Sequence, residues 1–295
     1  MGIGNSGWKS GEVWLFGGDG THREKAPCSS AIRKLFFEGV GQIRLYWDSN
    51  GKNYIMREPK GGVGKTAIAV NFAAFCGLQG HKTLLVDVDP QTNATFSCME
   101  PEKWGEAAKS KGTVANLLGM RNSSAEGAPP TALDVIVPNV FANVDLIPSH
   151  IDLFTIDLDL GGATGRELKL RKAIKPVLDN YEFVVIDCPP NLTIPTQNAL
   201  ASSTHFVVPL SPDYLSSLGI ALLLNRIKKL SEDIDHTLIH AGIIMSRVGR
   251  PAAFREKTVD TVRAQFPNLV LNTELKERAS VAESASLQKS IYSDA

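Results

Sequence analysis

Residues 59–66, PKGGVGKT, place three glycines and two lysines directly before an apolar stretch typical of a helix. Glycine has no Cβ, so successive backbone N–H groups can point into one hollow. The start of the helix adds the positive end of its dipole. These residues therefore predict a cradle for phosphate oxygens.

The spacing within this loop is specific. A match to GGxGK(S/T) arises by chance about once in a thousand chains of this length at average residue usage. The more common pattern GxxxxGK(S/T) has a glycine where this chain has Pro59. We expect backbone N–H groups to surround a β-phosphate, Lys65 to reach the β and γ oxygens, and the Thr66 hydroxyl to bind Mg²⁺. The predicted ATP-binding residues are Lys60, Gly61, Gly62, Val63, Gly64, Lys65, Thr66 and Ala67.

Two carboxylates end the next apolar run, in LLVDVDPQTNAT. Pro90 stops this strand after Asp89 and holds the carboxylate at the edge of the sheet where ligands bind. There Asp89 could orient an attacking water. Asp87 is as consistent with forming a turn as with binding a ligand.

A third carboxylate, Asp187, follows the apolar run in FVVIDCPPNL. A carboxylate at the end of a buried strand is costly unless it is paired or near a cation. Mg²⁺, held directly or through water, would meet that need. The predicted metal ligands are Thr66, Asp89 and Asp187.

From residue 53 onward, β-branched apolar runs alternate with helical patterns. Strands are predicted at 82–89, 143–149, 182–190, 205–211 and 241–248. Helices are predicted at 66–80, 165–180, 193–202, 215–230 and 254–266, the first ending at Gly80 as a C-cap glycine would. This alternation predicts an α/β fold with a doubly wound, mostly parallel sheet flanked by helices, as in P-loop NTPases. Residues 1–52 show no sustained period and are predicted to be an irregular, unassigned N-terminal extension.

Composition excludes several classes of protein. The 31 basic and 31 acidic residues cancel, so any contact with nucleic acid or an anionic membrane depends on a local patch. The four cysteines, Cys28, Cys76, Cys98 and Cys188, lack metal-ligand spacing and are expected to be buried thiols. We find neither a signal peptide nor an apolar run of membrane-spanning length, and we expect a cytoplasmic protein.

KGGVGKT, LLVDVDPQTNAT and VVIDCPPNL, in this order and at these separations, resemble the deviant P-loop ATPases of the ParA/MinD superfamily. The resemblance is strongest to ParA- and Soj-type partition proteins. It covers residues 53–295 and includes weaker stretches such as NVDLIPSHIDL and LKERASVAESASLQKSIY. It implies a ParA-like ATPase domain over 53–295 that lacks the last helix of its relatives.

In that family the additional lysine, here Lys60, reaches across an ATP-sandwich dimer to the partner's phosphates, and the aspartate matching Asp89 is needed for hydrolysis. The resemblance therefore implies that Lys60, Lys65 and Asp89 are catalytic. It also implies a homodimer with ATP and weak hydrolysis stimulated by a ParB-like activator. The expected role is partitioning of DNA or other cargo by a nucleoid-associated protein that does not bind membranes.

ParA-type dimers bind DNA without sequence preference through basic residues late in the chain. The predicted DNA contacts here are Arg250, Arg255 and Arg278. Each is equally consistent with a solvated surface charge. Binding through such a patch should weaken steeply with salt.

Three alternatives stay open at the level of sequence. Pro59 lacks an N–H and Ala67 replaces a threonine common in the family, which would suit a nucleotide-binding scaffold that does not hydrolyse ATP. A MinD-like membrane regulator would need a basic amphipathic C-terminal helix, and SVAESASLQKSIYSDA lacks that pattern. An iron–sulfur carrier resembling nitrogenase reductase would need converging cysteines, and nothing around Cys98 indicates them.

Overall fold

The computed structural model describes residues 52–56, 64–120, 128–212, 214–248 and 253–293. In this part of the chain, eight strands form one sheet. The strands are β1 (Lys52–Met56), β2 (Thr83–Asp87), β3 (Val137–Phe141), β4 (Val144–Ile147), β5 (Phe183–Asp187), β6 (His205–Leu210), β7 (Ile239–Val248) and β8 (Val270–Lys276).

Helices connect most of these strands. The α-helices are α1 (Lys65–Leu78), α2 (Asn93–Phe96), α3 (Pro101–Ser110), α4 (Val114–Leu117), α5 (Ala132–Val135), α6 (Ile156–Asp159), α7 (Lys169–Ile174), α8 (Ile194–Ser202), α9 (Tyr214–Asp233), α10 (Ala253–Gln265) and α11 (Ala279–Ser286). Short 3₁₀ turns span Ile151–Phe154, Arg166–Leu168 and Lys175–Asn180.

The strand order is β3-β4-β2-β5-β1-β6-β7-β8, and every neighbouring pair is parallel except β3 with β4. This confirms the predicted fold class. The five predicted strands are present as β2, β4, β5, β6 and β7. The sequence patterns missed β1, β3 and β8, because β1 is a short run, β3 contains a proline and β8 is a partly exposed edge strand.

Alternate residues of the central strands enter two separate cores. In β2, Leu84 and Val86 pack into the core on one face, whereas Leu85 packs into the core on the other face together with Val185 of β5. Helix α1 covers the Leu85 face, and α8, α9 and α10 contribute to the opposite core. A sheet buried on both faces explains why β2 and β5 are apolar at nearly every position.

Helix α1 ends in a glycine-based cap, as predicted. Gly80 adopts φ +92°, and its N–H donates to the Gly77 carbonyl while the His81 N–H donates to the Cys76 carbonyl. This pair of bonds is the Schellman motif, for which a left-handed residue such as glycine is needed.

The prediction of one continuous helix over 165–180 is wrong. This stretch contains α7 between two 3₁₀ turns, and the second turn starts at Lys175, directly before Pro176. Proline has no N–H to donate and its ring clashes with the preceding turn, so the helix cannot continue as α-helix through it.

Candidate functional site

The carboxyl ends of β2 and β5 bring two aspartates to one edge of the sheet. Asp87 and Asp187 are partners in the parallel register, and both are fully buried. Adjacent strands lie about 4.8 Å apart, so the two side chains occupy neighbouring positions. Two buried carboxylates this close repel each other whenever both are ionised.

Nearby groups of the chain donate hydrogen bonds to both carboxylate oxygens of Asp87. Its Oδ1 accepts the Asp89 N–H at 3.0 Å, and its Oδ2 accepts both the N–H and the hydroxyl of Thr95 at 2.8 Å. Burial is the largest influence and raises the pKa of Asp87 to about 7, although the bonds from Thr95 and Asp89 oppose it. Of the two alternatives left open by the sequence, the observed bonds favour the turn-former.

The Asp187 carboxylate receives almost no hydrogen bonding from the described residues. Neither of its buried oxygens has a hydrogen-bond partner of normal geometry there. Burial and then the Asp87 charge raise the pKa of Asp187 well above its usual range, while the Thr66 hydroxyl and the Lys65 ammonium lower it. Buried carboxylate oxygens without donors are suited to bind a cation.

The residues at this edge fit Mg²⁺. Asp187 offers unpartnered oxygens, and Thr66 offers a hydroxyl beside them. Within the described residues, no group of three or more acidic, histidine or cysteine side chains could hold a metal. One carboxylate and one hydroxyl are consistent with the Mg²⁺ preference for one or two protein ligands, with water and phosphate oxygens as the others.

Asp89 lies two residues beyond Asp87 and is 6% exposed. Its Oδ1 accepts the Gln91 N–H at 2.9 Å, and Oδ2 accepts no bond from the described residues. Burial raises the pKa of Asp89, whereas the Gln91 N–H and the Lys65 ammonium lower it. Asp89 therefore has one oxygen held in place and one open to a solvent molecule.

Helix α1 begins at this same edge. Gly64, its N-cap, has φ +86°, a conformation that side chains disfavour, and an added Cβ would lie 3.3 Å from Ser246 Oγ. Lys65 follows and is 6% exposed. Its buried ammonium favours the ionised forms of Asp89 and Asp187 together.

Five of the predicted residues thus converge at one edge of the sheet: Gly64, Lys65, Thr66, Asp89 and Asp187. Ala67 lies in the first turn of α1. The predicted residues Lys60, Gly61, Gly62 and Val63 lie outside the described residues.

Sequence reasoning missed two residues that bond to this edge, Thr95 and Ser149. The Ser149 hydroxyl donates to the Asp89 carbonyl at 2.6 Å, and Thr95 bonds to Asp87. Both fall inside stretches quoted for the family resemblance. A lone hydroxyl, however, carries no chemical signal without its three-dimensional partners.

The predicted DNA contacts are not assembled by the described residues. Arg250 lies outside them, and Arg255 lies in α10 at a position whose side chain is not described. Arg278 is exposed at the N-cap of α11. The patch therefore stays a prediction.

Cys76, Cys98 and Cys188 are buried and take part in no disulfide among the described residues, as expected, and burial raises the pKa of Cys76 and Cys98. Cys28 lies outside the described residues. None of the helices that the structure describes combines the length and the apolarity needed to cross a bilayer.

Comparison with known proteins places this site in a family context. The model of a family described as "AAA domain" matches residues 52–240. The chromosome-partitioning ATPase Soj of Treponema pallidum is 34% identical over 239 residues, which cover 80% of this chain and 87% of that protein. Apo McdA from Cyanothece superposes with a TM-score of 0.69 at 20% identity, covering 82% of this chain and 94% of McdA.

A further similar solved structure contains a bound nucleotide. Cobyrinic acid a,c-diamide synthase from Mycobacterium smegmatis, with bound ATP analogue and magnesium, superposes with a TM-score of 0.65 at 26% identity. The match covers 81% of this chain and 91% of the synthase. The synthase thus binds a nucleotide and magnesium, the two kinds of ligand that the sequence motifs predict for the edge of the sheet in this chain.

Proposed function

The chain belongs to the family of ParA- and Soj-type partitioning ATPases, and from this premise we propose that it is an ATP-dependent dimerising switch that moves DNA or other cargo. Its cofactors are ATP and Mg²⁺. The observation that carries the proposal is Asp187, a fully buried carboxylate without partners among the described residues, beside Lys65 and Thr66 at the start of a helix.

Each residue at the edge has a role that follows from its chemistry. Lys65 binds the β- and γ-phosphate oxygens, and the residues from Gly61 to Gly64 direct backbone N–H groups to the phosphates. Asp187 and Thr66 would hold Mg²⁺, which when bound neutralises charge on the phosphoryl oxygens. Loss of any of these groups weakens nucleotide binding.

Asp89 orients the attacking water. Its Oδ1 is fixed by the Gln91 N–H, so Oδ2 can accept a hydrogen bond from a water molecule in a defined direction. Burial raises the pKa of Asp89, and the Gln91 N–H and then the Lys65 ammonium oppose this effect by favouring the ionised carboxylate. Lys60 would act on the phosphates bound by a second copy of the chain, which makes hydrolysis depend on dimerisation.

The switch acts through the lifetime of the ATP state. We infer weak intrinsic hydrolysis that a ParB-like activator accelerates, and non-specific DNA binding by Arg250, Arg255 and Arg278 while ATP is bound. The names of the relatives support this cycle, since Soj of Treponema pallidum is a chromosome-partitioning ATPase.

Variants of the predicted ATP-binding and catalytic residues test the proposal. Lys65→Ala should abolish ATP binding in calorimetry, and Asp89→Ala should retain binding but release phosphate only at a small residual rate. Phosphate release that persists unchanged in Asp89→Ala would contradict the assigned mechanism. No release from the wild-type protein under any condition, with ATP binding intact, would instead favour the non-hydrolysing scaffold that Ala67 and Pro59 suggest.

DNA retention tests the other half of the switch. ATP, but not ADP, should cause retention on duplex DNA, and the retention should fall steeply with salt. Arg278→Ala should weaken it, whereas Arg171→Ala, an exposed arginine on α7, should not. Equal retention in both nucleotide states would contradict nucleotide gating.

A further inference from the structure

We propose that Ser149 and Thr95 are positioning residues that hold Asp89 in register for hydrolysis. The inference rests on the proposed function, because it concerns how the water-orienting carboxylate is held. Four residues form a closed ring of hydrogen bonds around the turn after β2: Asp87, Asp89, Thr95 and Ser149.

One side of the ring comes from Ser149, which follows β4 and is fully buried. Its hydroxyl donates to the Asp89 carbonyl at 2.6 Å, and its N–H donates to Thr95 Oγ1 at 2.9 Å. The residue therefore contacts both the turn that carries Asp89 and the helix that follows it.

The other side of the ring comes from Asp87. Thr95 uses its only hydroxyl proton towards Asp87 Oδ2 at 2.8 Å, which leaves its lone pair free to accept the Ser149 N–H. Asp87 Oδ1 then accepts the Asp89 N–H at 3.0 Å. Both backbone polar groups of Asp89 are thus held, its N–H by Asp87 and its carbonyl by the Ser149 hydroxyl together with the Thr92 N–H at 2.9 Å.

Holding the carbonyl of Asp89 has a specific consequence because the next residue is Pro90. Proline restricts the residue before it to extended conformations, so fixing the Asp89 carbonyl as well as its N–H leaves little freedom to the backbone that carries the side chain. The Oδ2 atom that would orient water accepts no bond from the described residues. Its position therefore depends on this backbone and on the Gln91 N–H, which holds Oδ1.

Ser149 is itself anchored from outside the ring. Trp104 Nε1 donates to the Ser149 carbonyl at 3.0 Å, and the Trp104 ring stacks on His150 at 5.4 Å. Contacts within the protein therefore brace the hydrogen-bond ring at Ser149. Such preorganisation is what catalysis by orientation requires.

The test compares the deletion of two hydroxyls from buried serines. Ser149→Ala should lower kcat for ATP hydrolysis by about 10-fold while KM and ATP affinity change by less than about 2-fold, since only orientation is lost. Ser97→Ala is the matched control, because the Ser97 hydroxyl is also buried but donates only to the Asn93 carbonyl at 2.7 Å. Ser97→Ala should keep the wild-type kcat.

Thr95 supplies the conservative pair. Thr95→Ser keeps the hydroxyl and should retain most of kcat, whereas Thr95→Val removes it and should lower kcat as Ser149→Ala does. This pair also decides the matter if Ser149→Ala fails to fold. Hydrogen exchange of the nucleotide-free protein gives a readout besides activity: the Asp89 amide should exchange faster in Ser149→Ala than in Ser97→Ala.

The double variant Asp89→Ala with Ser149→Ala separates positioning from other effects. If Ser149 acts through Asp89, the double variant should be no slower than Asp89→Ala alone. Equal kcat in Ser149→Ala and Ser97→Ala, or a loss that adds fully to that of Asp89→Ala, would overturn the inference. Full activity of Asp89→Ala would instead overturn the role of Asp89 in the proposed function.

Discussion

The strands β2 and β5 end at aspartates that are partners in the same register of the sheet. The turn after β2 donates hydrogen bonds to its aspartate, whereas the turn after β5 does not. Asp87 accepts three hydrogen bonds from its own turn. Asp187, equally buried, has no partner of normal geometry among the described residues. Burial raises the pKa of both carboxylates, so both are costly as anions.

The difference separates a structural carboxylate from a ligand-binding one. A chain that supplies donors to a buried carboxylate uses it to hold a turn, and here that turn carries Asp89. Where the chain supplies few donors to a buried carboxylate, a bound cation can offset the free-energy cost of burying the charge. Each variant or condition below acts on one side of this contrast.

Truncating Asp87 should have the largest effect. In Asp87→Ala three buried donors lose their acceptor, at about 1–3 kcal/mol each, and we expect a net loss of about 4 kcal/mol in the free energy of unfolding. Urea denaturation of the nucleotide-free protein measures it. A loss below that of Asp187→Ala would show that Asp87 does not hold its turn.

The difference between Asp87 and Asp187 could be predicted only in part from the sequence. The apolar runs predicted β2 and β5, and the motifs at their ends predicted that Lys65, Thr66 and Asp187 would meet, because strand ends share an edge in a parallel sheet. Asp87 and Asp187 look alike in one dimension, since each follows a buried strand. Only the positions of Thr95, brought back by α2, and of Ser149, contributed by β4, distinguish them.

The same limit explains the missed strand β1. Its apolar run is too short to stand out, and it is a strand because β5 and β6 flank it on both sides. Tertiary pairing here outweighs local pattern. Conversely, the break at Pro176 was readable from the sequence, because proline acts through local geometry.

Raising the pH should destabilise the nucleotide-free protein. Asp87 titrates at about 7 when folded but near 4 when unfolded, so between these values the folded state retains a proton that the unfolded state releases. The free energy of unfolding should therefore fall as pH rises, by about 3 kcal/mol between pH 5 and pH 8 from this group. Denaturation at fixed ionic strength measures the slope, which should be shallower in Asp187→Asn because one of the two carboxylates no longer titrates. Stability that rises with pH through this window would contradict the assignment.

Neutralising Asp187 should stabilise the protein while impairing its ligand. Asp187→Asn removes a buried carboxylate that accepts no hydrogen bond of normal geometry from the described residues, and we expect a gain of about 2 kcal/mol at pH 8 in the absence of nucleotide. The wild-type protein should gain about 3 kcal/mol from Mg–ATP at a hundredfold excess over Kd, and Asp187→Asn should lose the Mg²⁺-dependent part of that gain.

The comparison of ATP with and without Mg²⁺ is the control for this variant. ATP alone should stabilise wild type and Asp187→Asn to similar extents, since Lys65 is present in both. A nucleotide-free Asp187→Asn protein that is less stable than wild type would mean that the Asp187 carboxylate already has a donor in the folded chain.

The smallest effect should come from Thr66, which stands to Asp187 as Thr95 stands to Asp87. The Thr66 hydroxyl lowers the pKa of Asp187 and so favours its ionised form. Thr66→Val should cost about 1 kcal/mol in the nucleotide-free protein, and the cost should grow with pH because the lost interaction matters only when Asp187 is ionised. Thr66→Ser keeps the hydroxyl and should match the wild type in urea denaturation. A cost independent of pH would assign the loss to packing in the first turn of α1 and leave Asp187 without any donor from that helix.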